Sequence, residues 1–302
     1  MHPPVRLVAI DLDGTLLPSS SAHVSRRNAQ ALRAAQQAGV TVALATGRRA
    51  AYTVPLLEGL DLRADTPLIT SNGAVTRTLA GECISRSHMP ARVARGLCTL
   101  LRPFGCLVFT FDRPGRGELV LEDLEQAHER IAAWVEANRD SIEVAQPLES
   151  ALADSGDPID NDPIQGMVTG AIEQMRAAEK ALLASPWAAA CECARTEYPA
   201  RNLALLDLLP LGVSKGAALE RLAARLGVHR RETMAIGDNW NDRSIFEWAA
   251  QAFVMANAPA DLRTLAKVCG WKQAPTNDQD GVAQVLEAAL KKIAAAPAVT
   301  AI

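Results

Sequence analysis

Aromatic side chains make up only 4% of the 302 residues, and there is no basic excess: 31 lysines and arginines face 34 aspartates and glutamates, a net charge of −3. A nucleic-acid binder needs cationic surface and stacking rings, so no nucleic-acid partner is expected. No run approaches the ~20 consecutive apolar residues of a membrane span, and the apolar stretch before Asp11 is too short for a secretory leader. The expectation is a cytoplasmic protein with no membrane partner. The six cysteines (Cys83, Cys98, Cys106, Cys191, Cys193 and Cys269) contain no CxxC pair. Cys191-x-Cys193 lacks the second half of a four-ligand zinc set, so buried structural thiols in a reducing compartment are the better reading.

What is present is an ordinary globular composition, 49% hydrophobic and 22% charged. The length exceeds what one hydrophobic core usually serves and fits two domains. Leu7-Val8-Ala9-Ile10 is an uninterrupted apolar run, as a strand buried on both faces requires. A helix is predicted from Ser25, its N-cap, to Ala38, with Ala29, Leu32 and Ala35 inward and Gly39 as the stop. Strands Thr41–Ala45 and Leu68–Thr70 follow. The rhythm resumes with Leu203–Leu209, a helix from Ser214 (Leu219, Leu222, Ala223 and Leu226 inward, Gly227 closing), and strands Thr233–Ile236 and Ala252–Met255 around a helix over 242–250. This alternation predicts a doubly wound, Rossmann-like α/β core. The tail from Lys291 to Pro297 reads as a fraying end.

The intervening region has another texture. Cys106–Phe111 and Gly117–Glu122 read as a hairpin, followed by a helix from Asp123 to Asn138 carrying Leu124, Ile131, Trp134 and Val135. Asp154–Pro163 is dense in turn formers, and Ile164–Thr169, a helix over Ala171–Leu183 and a strand over Trp187–Ala194 complete an α+β insert. The expected division is residues 1–82 and 200–302 as a discontinuous core and 83–199 as the insert.

Chemistry concentrates where predicted strands end. Asp11-Leu12-Asp13-Gly14-Thr15 directly follows the first buried strand; four such fixed identities arise by chance about once in 10⁵ positions. In open α/β sheets ligands bind beyond the carboxyl ends of strands. Two carboxylates at i and i+2 there repel unless something uses them. Thr46-Gly47-Arg48 ends the next strand and offers a hydroxyl and amides to an oxyanion. Lys215 sits at a helix start, where ammonium and helix terminus favour the same negative charge. Gly237-Asp238-Asn239-Trp240-Asn241-Asp242 ends a later strand. Each alone has a bland explanation; all four in order at successive strand ends do not.

With these residues the sequence resembles a phosphatase of the haloacid dehalogenase (HAD) superfamily, most of all its Cof-type branch (class IIB, with a C2 cap). The matching pieces are Asp11–Thr15, Ala45-Thr46-Gly47-Arg48, Ser71-Asn72-Gly73-Ala74, Val213-Ser214-Lys215-Gly216 and Gly237–Asp242, then Met255-Ala256-Asn257-Ala258 and Asn277–Ala283. The resemblance implies that the insert is a cap domain governing substrate choice. It implies Asp11 as nucleophile and Asp13 as acid and base. It also implies Mg²⁺ held by Asp11, Asp238 and the Asp13 backbone carbonyl. Phosphate oxygens would be bound by Thr46, Lys215, Asn241 and the amides of Leu12 and Gly47. For Asp242, orienting Lys215 and ligating the metal directly are both open, and charge counting favours the first. Such division of labour fits the task. Hydrolysis of a phosphate monoester needs up to ~10²¹-fold acceleration, whereas one general acid supplies ~10²–10⁴-fold.

The implied substrate is a small phosphorylated metabolite, with sugar phosphates first, and the implied assembly is a monomer or homodimer. A phosphosugar mutase of the same superfamily is the nearest rival. A phosphorylated receiver or a non-catalytic phospho-ligand binder is the alternative from another class. Arg48 adjoins the site, where a substrate contact and a salt bridge are both open. Phe109, Arg113, Arg116 and Asp157 are candidates to face the substrate from the insert.

Overall fold

Apolar runs without polar alternation form the first sheet, because helices cover both of its faces. The computed structural model describes residues 4–21, 23–113, 115–124, 131–152 and 162–295. β1 (Leu7–Ile10), β2 (Thr41–Ala45), β3 (Pro67–Thr70), β4 (Val75–Thr78) and β5 (Cys83–Arg86) make its first half. The chain then builds a second sheet from β6 (Leu107–Thr110), β7 (Leu119–Leu121), β8 (Ile142–Val144), β9 (Gln165–Gly170), β10 (Cys191–Tyr198) and β11 (Leu203–Pro210). It returns to the first with β12 (Thr233–Gly237), β13 (Gln251–Met255) and β14 (Lys272–Ala274), giving the order β14-β13-β12-β1-β2-β3-β4-β5. β1 runs parallel to both neighbours, with Ile10 opposite Ile236 on one side and Leu44 on the other.

Alternate residues of β1 serve opposite faces. Val8 and Ile10 pack with Leu32 and Ala35 of the helix Arg26–Gln37 and with Val282 and Leu286 of the helix Gly281–Ala294. Leu7 and Ala9 pack with Leu219 and Leu222 of the helix Lys215–Arg225 and with Phe246 and Leu262. The first helix starts where the sequence places it: Ser25 caps it by accepting from the Asn28 amide, and Gly39 beyond it takes the left-handed conformation, φ +80°. Sequence order runs outward both ways from β1, and in open sheets of this kind ligands bind beyond the carboxyl ends of the strands at that point, here β1, β2 and β12.

Two compact units result, 1–84 with 215–302 and 85–214. The second is an antiparallel sheet, β10-β11-β9-β6-β7-β8, in which only β7 and β8 pair in parallel. The helices Ala91–Leu101 and Ile172–Leu183 cover one of its faces, burying Leu97, Leu101, Met175 and Leu182.

Several expectations need correction. Leu203–Leu209 does not resume the first sheet: β11 pairs with β9 and β10, so the unit changes after Ser214 and not near residue 200. An apolar run does not say which sheet receives it. Trp187–Ala194 is not one strand, since Pro186–Ala189 makes a 3₁₀ turn and β10 starts at Cys191. Pro186 at the start of that turn lacks the amide a central strand needs. Leu226 and Leu124 are 40% exposed, Leu226 because it lies past the helix end. The final helix continues to Ala294, through the stretch read as fraying. Of the helix expected over 123–138, Ala132–Ala137 is helical; residues 125–130 lie outside the described residues, as do 153–161 (with Asp157) and the tail from 296. No helix among the described residues is long and apolar enough to cross a membrane.

The thiols also divide. Cys98, Cys106 and Cys191 are buried, but Cys83 and Cys269 are exposed. Burial pushes the Cys98 thiol up to about 12 and those of Cys191 and Cys193 to about 11. Only thiolate reacts. Native protein titrated with Ellman's reagent at pH 8 should therefore show two fast thiols, Cys83 and Cys269, the rest appearing on denaturation. Six equally fast thiols would contradict the burial.

Candidate active site

Three strand ends and one helix start supply the site. Asp11 follows β1, its amide donating to the Ile236 carbonyl of β12 (3.0 Å), so its side chain leaves the sheet at the switch point. Asp238 follows β12. Lys215 opens its helix beside them, and that helix approaches closely because Gly216 has no side chain: a Cβ there would lie 2.4 Å from the Ser244 carbonyl oxygen. The Gly216 amide donates to Ser244 Oγ (3.0 Å).

The Lys215 ammonium is fully buried and bridges two carboxylates, at 2.6 Å from Asp11 Oδ1 and 2.6 Å from Asp242 Oδ1. The second oxygen of Asp242 accepts from the amides of Asp238 (3.0 Å) and Asn239 (3.1 Å). Asp242 thus spends both oxygens within the protein, fixing Lys215 and the turn that carries Asp238. Asp238 Oδ1 accepts from Thr15 Oγ (2.9 Å). Asp11 and Asp238 each keep one carboxylate oxygen without a hydrogen bond from any described residue.

Carboxylate oxygens of Asp11, Asp238 and Asp242 lie within 4.8 Å of one another. Burial, and then Asp242, push the Asp11 carboxyl up to about 7 despite Lys215. Burial, then Asp11 and Asp242, raise Asp238 well above the usual range. Burial alone would lower the Lys215 ammonium, but Asp11 and Asp242 outweigh it and the net shift is upward. Three buried carboxylates around one ammonium leave uncompensated negative charge. A hard divalent cation with oxygen ligands suits such a carboxylate cluster, and magnesium takes few carboxylates.

The β2 end approaches from the other side. Thr46 is 1% exposed and accepts from the Arg48 amide (3.1 Å). Arg48 grips Asp13 with two parallel hydrogen bonds, Nε to Oδ2 at 2.6 Å and Nη2 to Oδ1, and its guanidinium lies over Tyr52. The sequence left open a substrate contact or a salt bridge for Arg48; the salt bridge is made. Leu12 points its side chain into the core, leaving only its backbone to the site. No described acceptor takes the amide protons of Leu12 or Gly47. Asn241 Nδ2 donates to Asn72 Oδ1 (3.1 Å). The residues named from sequence therefore meet in one place, tied by Lys215, by Arg48 and by Asn72.

A set of carboxamides carries no role in the sequence reading, although the motifs that hold two of them, Asn257 and Asn277, were visible there. Asn257 donates to the Gly14 carbonyl (2.7 Å) and accepts from the Asn277 amide (3.1 Å); Asn277 donates to the Leu17 carbonyl (2.9 Å). Asn28 donates to the Leu16 carbonyl (3.2 Å) and accepts from the Ala283 amide (2.9 Å). Together they clamp the loop after Asp13. Gly14, at φ +77°, has no room for a side chain, since a Cβ would stand 2.3 Å from Asp238 Oδ2.

Residues 8–286 match the family described as haloacid dehalogenase-like hydrolase. The phosphatase YwpJ of Bacillus subtilis is 30% identical over 94% of this chain and 99% of its own length. An HMP-PP phosphatase of Escherichia coli O8 is 30% identical over 85% of this chain and 86% of its own. A solved sugar phosphatase of HAD subclass IIB has the same fold, with a TM-score of 0.74 at 22% identity, covering 96% of this chain and 100% of the other.

Proposed function

The chain belongs to the haloacid dehalogenase-like hydrolase family and is a phosphatase, and from that premise we propose that it is a Mg²⁺-dependent enzyme hydrolysing small phosphorylated metabolites, sugar phosphates foremost, through an aspartyl-phosphate on Asp11. The supporting observation is Asp11 itself: a buried carboxylate with one oxygen on Lys215 and the other uncovered, beside Asp238. The uncovered oxygen attacks phosphorus while the bond to the leaving oxygen breaks, and Asp13 protonates that oxygen. Asp13 then takes a proton from water, which attacks the acyl phosphate and restores Asp11. Arg48 engages both oxygens of Asp13, a grip that suits the base form; delivering the proton requires Arg48 to release one of them. Lys215, the Thr46 hydroxyl, Asn241 and the amides of Leu12 and Gly47 hold phosphate oxygens as charge builds. Asp11, Asp238 and the Asp13 carbonyl would hold Mg²⁺, which offsets negative charge on site and phosphate.

We assign catalysis to the unit of β1 and substrate choice to the unit 85–214. We place the enzyme in the cytoplasm as a monomer or homodimer. Sugar phosphates come first because the structural relative is named for them.

The test is release of inorganic phosphate from a panel of hexose phosphates, glycerol phosphates, nucleotides and pyridoxal phosphate. Turnover should favour a sugar phosphate. An isomeric sugar phosphate in place of free phosphate would mark a mutase. EDTA should lower kcat by about 10³-fold, as expected for several kcal/mol of charge stabilisation, and added Mg²⁺ should restore it. Undiminished turnover in EDTA would refute the metal.

A further inference from the structure

We infer that Asn72 is a positioning residue, whose carboxamide holds the Thr46–Gly47 loop and Asn241 in the arrangement that grips the phosphoryl group; this rests on the function proposed above. The motif Ser71-Asn72-Gly73-Ala74 ends β3, the one strand end near the site to which no chemistry has been given. Its backbone is unusual. Ser71 (φ +48°) and Asn72 (φ +51°) are consecutive left-handed residues, a conformation few side chains adopt, and both are 1% exposed. The neighbouring end of β2 imposes it: the Ser71 amide donates to the Arg48 carbonyl (2.9 Å) and the Asn72 amide to the Thr46 carbonyl (3.0 Å). Arg221, from the helix that Lys215 opens, donates to the Gly73 carbonyl (3.4 Å). Such conformations persist where surroundings over-determine them, and they gather at functional sites.

The enforced turn delivers one side chain between two phosphate-binding elements. Asn72 Oδ1 accepts from Asn241 Nδ2 at 3.1 Å. On the other side the same carboxamide lies against Gly47, where a Cβ would stand 3.1 Å from Nδ2 and 3.2 Å from Oδ1. A Cβ at Gly47 would thus push the carboxamide by a few tenths of an ångström, so Asn72 sets how close the Gly47 amide stands to Asn241. These two loops come from strands β2 and β12, which are separated in the sheet by β1. Asn72 is thus a side-chain bridge across the nucleophile's strand. Misplacing such groups by an ångström can cost about 10²-fold in rate.

Asn72→Gly isolates the carboxamide, because glycine adopts φ +51° without strain and keeps both backbone hydrogen bonds. With Mg²⁺ present, its kcat/KM for p-nitrophenyl phosphate should fall about 10- to 100-fold, with the thermal midpoint close to wild type. Orthovanadate, a mimic of the five-coordinate transition state, should lose inhibitory affinity by a similar factor, and inorganic phosphate by less. A merely structural side chain would not separate the two anions. Asn72→Asp is the second variant: it is isosteric, tolerates the left-handed backbone, and puts a negative charge beside the anion loop, so orthovanadate affinity should fall further still. Kinetics and vanadate affinity within threefold of wild type in Asn72→Gly, or wild-type vanadate affinity in Asn72→Asp, would overturn the inference. A wild-type enzyme that releases no phosphate refutes the proposed function instead, so the two failures are distinct.

Discussion

Asp11→Asn should lower kcat by at least ~10⁴-fold with the fold intact, because the carboxamide cannot form the acyl phosphate that splits the reaction into two easier steps. Asp13→Asn should cost less, ~10²–10⁴-fold, the usual contribution of one acid–base group. A wild-type rate of p-nitrophenyl phosphate hydrolysis in Asp11→Asn would end the nucleophile assignment. The same variant has a stability signature. Burial and the neighbouring carboxylates raise Asp11 to about 7 in the folded protein, above the ordinary carboxylate value it has when unfolded. A group raised on folding contributes stability at low pH and loses it as pH rises through its folded value. Metal-free wild type should therefore lose stability between about pH 4, where the unfolded carboxyl ionises, and about pH 7, and little beyond. Asp11→Asn should lose less, having one fewer buried carboxylate to ionise. Thermal midpoints measured across that range in EDTA check this, and equal slopes would contradict it.

Lys215→Met should damage both stability and rate. The ammonium is wholly buried and answers two buried carboxylates at 2.6 Å, so its loss leaves both unpaired. Breaking a buried ion pair from one side costs about 3–5 kcal/mol, which lowers the thermal midpoint by roughly 5–8 °C in a protein of this size. The rate should fall ~10²–10³-fold as well, since a charge aimed at the developing oxyanion is gone. Lys215→Arg should not rescue, because a planar guanidinium needs more room than a fully buried ammonium held between Asp11 and Asp242. A midpoint unchanged in Lys215→Met would show that the pair carries no stability.

Much of this site was legible because parallel strands covered on both faces read as apolar runs, and the residue after each run is bound to emerge at one edge of the sheet. Asp11, Thr46, Asp238 and the helix start at Lys215 were placed in that way, from local pattern and turn chemistry. The helix from Ser25 to Gly39 was fixed equally locally, by a cap, a periodic stripe and a glycine.

Other features depend on partners remote in the chain. Lys215 is 204 residues from Asp11, Asn241 is 169 from Asn72, and Asn257 is 243 from Gly14. No window of sequence contains both ends of those bonds. The grip of Arg48 on Asp13 likewise joins two strand ends whose adjacency the sheet order decides. β11 shows the same limit in the fold: its apolar run announced a buried strand, but hydrogen bonding to β9 and β10, and not composition, decided which sheet it entered. Sequence alone therefore determined which residues stand at the rim and with what chemistry. Tertiary structure decided which of them touch, because side-chain pairing is set by strand order and register, and neither is written in any one segment.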